Sequence, residues 1–406
     1  MSNILIINSG SSSLKFQVIN SETEEMILKG NAEPLGNRKA SICFKYDDQE
    51  IPGELPKPST HADALKAIFA FLDKYHLTKT ISSVGHRVVH GGEKLKESAL
   101  INKEILKEIE EAVPYAPIHN PAAILGIKAV SKIAPDLPQV AVFDTAFHST
   151  MPDYAYRYAI PTEWYTKYGV RRYGYHGTSY RFITEKLAHT LDKPVGKVNA
   201  VIAHLGSGAS LAAVKNGKSA DTTMGLTPLE GMIMATRSGD IDASIVPFIM
   251  KRENIQAESV INILNTESGL RGVSGVSDDT RDIEREAADG NENCQLALNM
   301  MTYKAAKLIA SLMVSLDELD ALVFTAGNGE NRWVIRAAIV KHLEVLGFKI
   351  DDKLNDGMSG RDGNEGLISA PSSKYAIYQL VTNEELMIAK DTARIIRRMK
   401  NSQGQG

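Results

Sequence analysis

Short apolar runs separated by polar turns open the chain. Residues 4–7 form a β-branched run that ends in Asn-Ser-Gly, which is typical of a buried strand followed by a tight turn. Leu14, Phe16 and Val18 then alternate with polar positions, so the chain is expected to return as a second strand. The pattern predicts a β-hairpin whose polar tip is formed by residues 8–13.

The opening segment, residues 3–20, resembles a later segment of the same chain, residues 199–216. Aligned without gaps, the two segments are identical at six of 18 positions. Each consists of an apolar strand, a turn of glycine and serine, and a second apolar strand. Coincidence between two hairpins of similar composition is one explanation. The other is a duplicated domain with one phosphate-facing hairpin in each half.

Helical and strand-like patterns alternate along the rest of the chain, which predicts α/β structure. The predicted helices lie at residues 62–76, 103–112, 296–315, 333–346 and 383–399. Strands are predicted at Gln139–Phe143 and Ala321–Thr325, and a glycine turn at residues 326–331. The last residues, 401–406, are expected to be disordered.

Composition and charge narrow the class of protein. The 406 residues include 46 basic and 49 acidic side chains, and 43% are hydrophobic. These values exclude a disordered or fibrous chain, and the balanced charge indicates no nucleic-acid partner. Two cysteines, Cys43 and Cys294, cannot form a disulfide framework, which favours the cytoplasm. No apolar run reaches the roughly 18 residues that a membrane span needs, and the N-terminus lacks the features of a signal peptide.

The common nucleotide-binding motifs are incomplete in this sequence, and the common metal-binding motifs are absent. Residues 216–219 read like the end of a P-loop, but Ala212 stands where that motif requires glycine. Arg332 stands where a dinucleotide fingerprint that starts at Gly327 would need its third glycine. Cysteine and histidine clusters with metal-ligand spacing are absent from the sequence. Phosphate binding is therefore expected from the two related hairpin tips and the glycine turn.

Polar residues of the first hairpin suit an anion and its metal. The backbone N–H groups and small side chains of residues 8–13 allow a phosphate to approach closely. Asn8 could bind a metal through its carbonyl oxygen or through water, and Lys15 could reach a phosphate. An ordinary polar turn is the alternative for one such loop. Two matching loops and a third glycine turn favour a two-domain ATPase.

Nine short motifs, read together, identify a family. In chain order they are NSGSSSLK (from Asn8 to Lys15), HRVVHGG, PIHNP, FDTAFH, RRYGYHGTS, HLGSGAS, ATRSGDID, TAGNGEN and TNEEL. The sequence closely resembles the acetate kinase family from about residue 3 to about residue 395. The resemblance implies two duplicated actin-like (ribonuclease H-like) α/β domains with an active-site cleft between the domains. Duplication agrees with the internal repeat, so the coincidence explanation is set aside. His86, His90 and His148 are expected to be structural.

The resemblance implies domain boundaries and an oligomeric state. Residues 1–148 with 385–400 are expected to form the N-terminal domain, and 149–384 the nucleotide-binding C-terminal domain. A homodimer is implied, with residues 151–200 and 296–315 as interface elements.

The implied reaction is the reversible, Mg²⁺-dependent transfer of the γ-phosphoryl group of ATP to acetate by direct in-line displacement. The products are acetyl phosphate and ADP. Acetate is already ionised at neutral pH, so the reaction needs no general base, and the site should be rich in cations. Two alternatives stay open: a kinase of propionate or another short-chain acid, and an actin-like ATPase that is not a kinase.

The family's site residues carry over to matching positions of this sequence. The implied catalytic residues are Arg87, Asp144, His176 and Arg237. The acid is expected to contact Arg87, Val89, Ile118, His119, Tyr175 and Pro228. The nucleotide, ATP or ADP, is expected to contact Lys15, His204, Leu205, Gly206, Ser207, Gly208, Asp279, Thr280, Arg281, Gly327, Asn328, Gly329, Glu330 and Asn331. Mg²⁺, or alternatively Mn²⁺, is expected at Asn8 and Glu384, with Glu385 as the neighbouring alternative.

Charge compensation accounts for most of these roles. A guanidinium can grip a carboxylate or a phosphoryl group in bidentate fashion, and His176 is expected to stabilise the phosphoryl group in flight. Asp144 is expected to orient an arginine or a water on Mg²⁺ rather than to act as a base. Val89 favours a two-carbon acid. One methylene in an apolar pocket is worth about 1–3 kcal/mol, so discrimination is expected to be partial.

Three positions depart from the family's common pattern. Ser207 replaces an asparagine, so a direct phosphate bond is either lost or replaced through water. Asn328 replaces an isoleucine, which removes an apolar contact with adenine and loosens the choice of nucleotide. Tyr175 replaces a phenylalanine and adds a hydroxyl beside the acyl pocket.

Overall fold

Contacts within the chain separate it into two units. The protein is described by a computed structural model that covers residues 3–403. The first unit comprises Met1–Ser149 with Asn383–Gly406, and the second comprises Thr150–Thr382. Glu384 therefore belongs to the first unit, whereas the predicted boundary placed it in the second.

The first unit contains an eight-stranded sheet. Its strands are β1 (Asn3–Ser9), β2 (Leu14–Asn20), β3 (Met26–Glu33), β4 (Ser41–Tyr46), β5 (Gln49–Gly53), β6 (Ile81–Val88), β7 (Ala99–Leu100) and β8 (Gln139–Phe143). Its first helices are α1 (His61–Lys74), α2 (Lys103–Glu111) and α3 (Asn120–Ile133). The order across the sheet is β5-β4-β3-β2-β1-β6-β8-β7.

The second unit contains a six-stranded sheet and most of the helices. The helices before the sheet are α4 (Asp153–Tyr156), α5 (Thr162–Tyr168) and α6 (Gly177–Thr190), and the first strands are β9 (Ala200–Leu205), β10 (Ala209–Lys215) and β11 (Lys218–Thr222). Next come α7 (Ile245–Glu253), α8 (Ala257–Thr266), α9 (Gly269–Ser274), α10 (Thr280–Ala288) and α11 (Glu292–Met313). The remaining elements are β12 (Ala321–Thr325), α12 (Ala326–Asn331), α13 (Trp333–Leu343), α14 (Asp352–Asp356), β13 (Gly366–Leu367) and β14 (Ala376–Gln379). The order across this sheet is β11-β10-β9-β12-β14-β13.

The C-terminal helix α15 (Glu384–Gln403) belongs to the first unit. It packs on one face of the first sheet, against Ile4 and Ile6 of β1, while α1 and α3 pack against Leu5 and Ile7 on the opposite face. A strand buried on both faces explains why residues 4–7 are uninterrupted by polar side chains. The predicted disordered tail is wrong for residues 401–403, which continue this helix. Residues 404–406 lie outside the described residues.

The two sheets repeat one arrangement of strands. In the first unit, β1 pairs antiparallel with β2 and parallel with β6, and β6 pairs parallel with β8. In the second, β9 pairs antiparallel with β10 and parallel with β12, and β12 pairs parallel with β14. The similar segments 3–20 and 199–216 are the equivalent hairpins. The repeated topology agrees with duplication.

Most predicted elements are confirmed with small shifts at their ends. Helix α11 begins earlier than predicted because the side chain of Asn291 accepts hydrogen bonds from the first N–H groups of the helix. Residues 216–219, which resemble the end of a P-loop, lie at the turn between β10 and β11. Asn216 and Gly217 there have positive φ of 52° and 73°, as a two-residue hairpin turn requires. Every helix within residues 3–403 is too short or too polar to cross a membrane.

The predicted glycine turn at residues 326–331 is wrong, because these residues form the short helix α12. Glu330 Oε1 accepts hydrogen bonds from the N–H of Ala326 at 2.8 Å and from the N–H of Thr382 at 2.9 Å. This carboxylate therefore satisfies the start of its own helix and a segment distant in sequence. The second contact is long-range and invisible to a local sequence pattern.

Candidate active site

In the first unit, an arginine and an aspartate meet at the carboxyl ends of two neighbouring parallel strands. Arg87 lies near the end of β6, and Asp144 follows β8 directly. The Arg87 guanidinium donates from Nε to Asp144 Oδ1 at 3.1 Å and from Nη2 to Oδ2 at 2.6 Å. The carboxylate of Asp144 is buried. This bidentate pair fixes the plane of the guanidinium.

Two acidic residues at the start of α15 act on the same arginine. Burial raises the pKa of Glu384 to about 7; the charge of Arg87 opposes that shift, and the charges of Asp144 and Glu385 add to it. Burial alone would lower the pKa of Arg87, but Asp144 and Glu384 outweigh it, and the pKa lies above its usual value. The first unit thus collects several carboxylates around one half-buried cation.

The predicted metal residues all lie in the first unit. Asn8 and Lys15 line a cavity of about 280 Å³ together with Glu385, and Glu384 is not among the residues that line it. Across residues 3–403, no three or more histidine, cysteine or acidic residues are grouped so as to hold a metal. Mg²⁺ commonly uses one or two carboxylates and takes its other ligands from phosphates and water. The amide oxygen of Asn8 and the neighbouring glutamates fit that kind of site.

A buried asparagine joins two of the motif loops in the first unit. Asn120 Oδ1 accepts a hydrogen bond from the N–H of His90 at 3.1 Å, and Asn120 Nδ2 donates to the carbonyl of His90 at 2.9 Å. These bonds connect the loop that carries Val89 to the loop that carries Ile118 and His119. Sequence reasoning missed Asn120, although its place in the PIHNP motif was a signal.

The side chains near Asn120 differ in burial. Val89 and His119 are half-buried, whereas Ile118 is 56% exposed. His86, His90 and His148 are all buried, which agrees with the structural roles expected for them.

In the second unit, two histidines stack beside a glycine hairpin tip. The rings of His176 and His204 are 4.1 Å apart and nearly parallel, at 14°. His176 Nδ1 is 2.8 Å from Ser210 Oγ, and His204 Nδ1 is 2.9 Å from Ser179 Oγ. These contacts hold both rings through Nδ1.

His176 stands just before helix α6 with a left-handed backbone, φ 59°. That conformation is uncommon for a residue other than glycine and costs about 1–3 kcal/mol. The surroundings therefore hold this imidazole in place against a local preference.

The hairpin tip lies between an imidazole and a guanidinium. A Cβ atom placed on Gly208 would be 3.5 Å from His176 Nε2 and 3.5 Å from Arg237 Nη1. Only a residue without a side chain leaves this space open. The N–H of Ala235 donates to the carbonyl of Ser207 at 3.2 Å, so the tip is also bonded to the loop that carries Arg237.

Arg237 makes no ion pair with any carboxylate in the described part of the chain. Its Nη1 donates two long hydrogen bonds, to the carbonyl of Pro228 at 3.3 Å and to the sulfur of Met234 at 3.8 Å. Burial lowers the pKa of Arg237, and the nearby Tyr175 partly opposes that shift. Arg87 is neutralised by Asp144 within its own unit, whereas no carboxylate among residues 3–403 pairs with the positive charge of Arg237.

The predicted nucleotide segments converge on one cavity of about 370 Å³ in the second unit, a volume suited to a small ligand. The predicted residues that line it are Leu205, Gly206, Ser207, Asp279, Thr280, Arg281, Gly327, Asn328 and Asn331. The others, Lys15, His204, Gly208, Gly329 and Glu330, are not among its lining residues. The carboxylate of Glu330 is instead engaged by backbone N–H groups.

Side-chain bonds fix the walls of this cavity. Asn328 Nδ2 donates to Thr280 Oγ1 at 3.0 Å, which joins α12 to the start of α10. Asp279 accepts hydrogen bonds from the side chain and the N–H of Arg281, and these bonds lower its pKa to about 2. Asn328, which replaces the family's usual isoleucine, thus connects two of the predicted nucleotide segments.

Several residues of this cavity were not predicted. They include the apolar Met232, Leu270, Met301, Ile335 and Ile339 and the cations Arg332 and Arg361. Ile335 and Ile339 are four apart on α13, so helical spacing was a signal for them. The remaining residues come from separate segments, and no local pattern connects them.

Comparison with known proteins gives one consistent result. The model of the acetokinase family matches residues 3–390. An acetate kinase of Thermoanaerobacterium thermosaccharolyticum is 48% identical over 404 residues, which cover 98% of this chain and all of that protein.

Two crystal structures share the fold over nearly the whole length. A propionate kinase from Francisella tularensis has a TM-score of 0.93 at 42% identity and covers 97% of this chain and 100% of that one. The acetate kinase of Porphyromonas gingivalis has a TM-score of 0.91 at 40% identity, with 98% and 100% covered. The predicted duplicated, actin-like α/β fold is thereby confirmed. The family match over most of the sequence, together with these relatives, shows that the chain belongs to the acetokinase family.

Proposed function

We propose that the protein is an acetate kinase. It would transfer the γ-phosphoryl group of ATP to acetate in a reversible, in-line displacement and release acetyl phosphate and ADP. The observation that carries this proposal is the uncompensated charge of Arg237 beside His176 and the open tip at Gly208. A transferring phosphoryl group spreads negative charge over its oxygens, and preorganised donors that meet this charge supply most of the catalysis.

The acid side of the reaction is assigned to the first unit's arginine. Arg87 would bind the acid carboxylate, and Asp144 would hold the guanidinium in the required plane through its two hydrogen bonds. Acetate reaches the site already ionised. Asp144 is therefore proposed as a positioning residue for Arg87, and no group needs to remove a proton. His119 is a further polar contact for the acid.

The nucleotide side is assigned to the large cavity of the second unit. Adenosine would lie between the segments around Thr280 and Asn328, and the phosphates would approach the tip at residues 206–208. Lys15 would contribute a further positive charge. Mg²⁺ or Mn²⁺, held through Asn8 with Glu384 or Glu385, would neutralise phosphate charge when the nucleotide is bound.

The choice of acid is the finer part of the proposal, because both acetate and propionate kinases are among the similar structures. The acyl group would contact Val89, Ile118, Tyr175 and Pro228. A valine at position 89 leaves less room than a smaller side chain would, so acetate is proposed as the preferred acid. Propionate should remain a poorer substrate rather than an excluded one.

A homodimer in the cytoplasm is proposed as the working form. Large apolar side chains are exposed on the two segments expected at the interface, among them Tyr154, Trp164, Met300 and Tyr303. Exposed apolar surface of this kind is typical of interaction sites. Both cysteines are free, which is compatible with a reducing compartment. Light scattering after gel filtration would report the mass of the particle, and cell fractionation its location.

Substitution of Arg237 tests the proposed role most directly. Arg237→Gln keeps a polar side chain and removes the charge, and kcat with acetate and Mg-ATP is expected to fall by about 10²–10³-fold. Arg252→Gln, at an exposed arginine at the end of α7, is the matched control and should leave kcat unchanged. An unchanged kcat in Arg237→Gln would contradict the assignment.

A further inference from the structure

The segment formed by residues 222–230, which contains Pro228, is held by hydrogen bonds from four polar side chains, of which Tyr158 and Glu230 lie outside the motifs named above. Two tyrosine hydroxyls form hydrogen bonds with the backbone N–H and the carbonyl of Leu226. Its N–H donates to Tyr158 Oη at 2.9 Å, and its carbonyl accepts from Tyr175 Oη at 2.7 Å. The hydroxyl of Tyr175 is therefore used to hold this segment.

A half-buried ion pair between Arg172 and Glu230 connects both ends of the segment. Tyr158 Oη donates to Glu230 Oε2 in a short hydrogen bond, and Arg172 Nη2 donates to Glu230 Oε1 at 2.6 Å. Arg172 Nη1 also donates to the carbonyls of Thr222 and Thr223, at 2.9 and 3.0 Å. Tyr158, Arg172 and Glu230, called the brace below, thus connect the beginning, middle and end of the segment.

At Gly225, the segment packs directly against the side chains of the brace. A Cβ atom on Gly225 would lie 1.6 Å from Glu230 Oε2 and 2.1 Å from Tyr158 Oη, so only glycine fits. The carbonyl of Gly225 also accepts from the N–H of Tyr173 at 3.0 Å. Burial and the charge of Glu230 raise the pKa of Tyr158 above its usual value, so its hydroxyl stays a hydrogen-bond donor at all ordinary pH values.

The segment that the brace holds reaches the proposed site through Pro228. The carbonyl of Pro228 accepts the hydrogen bond from Arg237 Nη1 at 3.3 Å. Pro228 is two residues from Leu226, so a shift of the braced backbone would move the proline ring and the guanidinium together. Displacements of about 1 Å at a reacting centre can cost about 10²-fold in rate.

We infer that Tyr158, Arg172 and Glu230 are positioning residues that set the affinity and the chain-length selectivity for the carboxylic acid. The inference rests on the proposed function, because it takes Tyr175 and Pro228 as the wall of the acyl pocket. The brace keeps that wall rigid, so the pocket cannot widen for an extra methylene without breaking these hydrogen bonds. The nucleotide cavity is lined by none of the three residues. Acid and nucleotide binding are therefore expected to respond differently to loss of the brace.

The experiment removes one oxygen atom from the brace. Tyr158→Phe keeps the aromatic ring but leaves the N–H of Leu226 and one oxygen of Glu230 without a partner. Loss of such a buried bond corresponds to about a tenfold effect. KM for acetate is expected to rise about tenfold, the propionate-to-acetate ratio of kcat/KM to rise, and KM for ATP to change by less than about twofold.

Tyr173→Phe is the matched control. Tyr173 is a buried tyrosine, and its hydroxyl donates to the carbonyl of Gly169 at 3.0 Å, outside the braced segment. This variant should leave both KM values unchanged. Glu230→Ala and Glu230→Gln form a second pair, in which glutamine retains an acceptor for Tyr158 and should restore most of the acid affinity lost in the alanine variant. This pair decides the question if Tyr158→Phe does not fold.

The possible outcomes separate this inference from the proposed function. A selective rise in KM for the acid, with partial rescue by glutamine, supports the brace. Unchanged acid kinetics in folded variants, or equal rises in KM for acid and for ATP, would overturn it while the wild-type enzyme remains an acetate kinase. If the wild-type protein turns over ATP with no acid dependence, the proposed function itself fails, and the inference fails with it.

Discussion

At the scale of single residues, the two arginines to which the proposed function gives roles differ in their partners. Arg87 is fixed and neutralised by a bidentate aspartate, whereas Arg237 has no carboxylate partner among residues 3–403. A paired arginine offers a defined direction of approach, and an unpaired one offers charge. This difference between the two arginines suits a reaction in which one anion is oriented and another is stabilised.

Asp144→Asn tests whether the aspartate acts by orienting Arg87. Asparagine can accept only one of the two hydrogen bonds and carries no charge, so the guanidinium should lose its fixed plane. A fall in kcat of about 10²-fold is expected, with no change in the shape of the pH profile, because no proton is removed from acetate. An unaltered kcat would contradict the positioning role, and loss of a limb of the pH profile would indicate a base.

Val89→Ala tests the choice of acid. Removing two methyl groups should make room for a longer acyl chain, and the ratio of kcat/KM for propionate to that for acetate should rise about tenfold or more. Val314→Ala makes the same change at a valine that is 86% exposed and should not move the ratio. A ratio that stays constant in both variants would remove Val89 from the acyl pocket.

At the scale of elements, helix α12 depends on a buried arginine of α13. Arg336 is fully buried and donates from Nη1 to the carbonyls of Gly329 and Glu330, at 2.9 and 3.0 Å. Its other nitrogens donate to Asn355 and to the carbonyl of Met358, at 2.7–2.9 Å. Burial lowers the pKa of Arg336 to about 10, so it stays charged at neutral pH. The charge is satisfied by carbonyl oxygens of the helix end and of α14.

Arg336→Lys is expected to damage both stability and nucleotide binding. Lysine keeps the charge but cannot reach all of these acceptors, and the carbonyls left unpaired should lower the free energy of unfolding by about 2–4 kcal/mol. Because α12 carries Asn328 and Asn331 at the cavity wall, ADP should bind about tenfold more weakly. Chemical denaturation and calorimetric titration give the two values. Arg398→Lys, at an exposed position of α15, is the control, and equal behaviour of the two variants would contradict the account.

The sequence was informative about elements and less so about what connects them. The apolar patterns predicted the two hairpins, because the apolar positions within a strand reflect which of its side chains are buried. The similarity of the two hairpins predicted the duplication. Helix α12 was missed because its start is satisfied by Glu330, whose carboxylate also binds Thr382. The brace was missed because Tyr158, Arg172 and Glu230 come from three separate segments. Such contacts depend on the fold, and no local pattern encodes them.

At the scale of the whole molecule, a buried histidine makes stability depend on pH. Burial lowers the pKa of His86 to about 4, although its hydrogen bond to Gln139 opposes the shift. In the unfolded chain the same group has a pKa of about 6.5. Between these values the unfolded state binds more protons, so the native state is favoured fully above pH 6.5 and loses stability as the pH falls towards 4. The loss amounts to about 3 kcal/mol.

Comparison with His86→Asn isolates this contribution. Glu384 acts in the opposite sense, because its raised pKa removes stability as the pH increases from about 4.5. The difference in the free energy of unfolding between wild type and variant cancels that effect. The wild type should lose about 3 kcal/mol relative to His86→Asn between pH 7 and pH 4. Parallel curves would show that His86 is already exposed or protonated in the native state.

Acid-dependent formation of an acyl phosphate distinguishes an acetate kinase most directly from an ATPase that is not a kinase. The rate would be measured with Mg-ATP and acetate, with propionate, and with no acid, and the product trapped as a hydroxamate. We expect hydroxamate with both acids, a higher kcat/KM for acetate, and negligible ATP turnover without acid. ATP hydrolysis that yields no hydroxamate with either acid would contradict it and would favour an ATPase that is not a kinase.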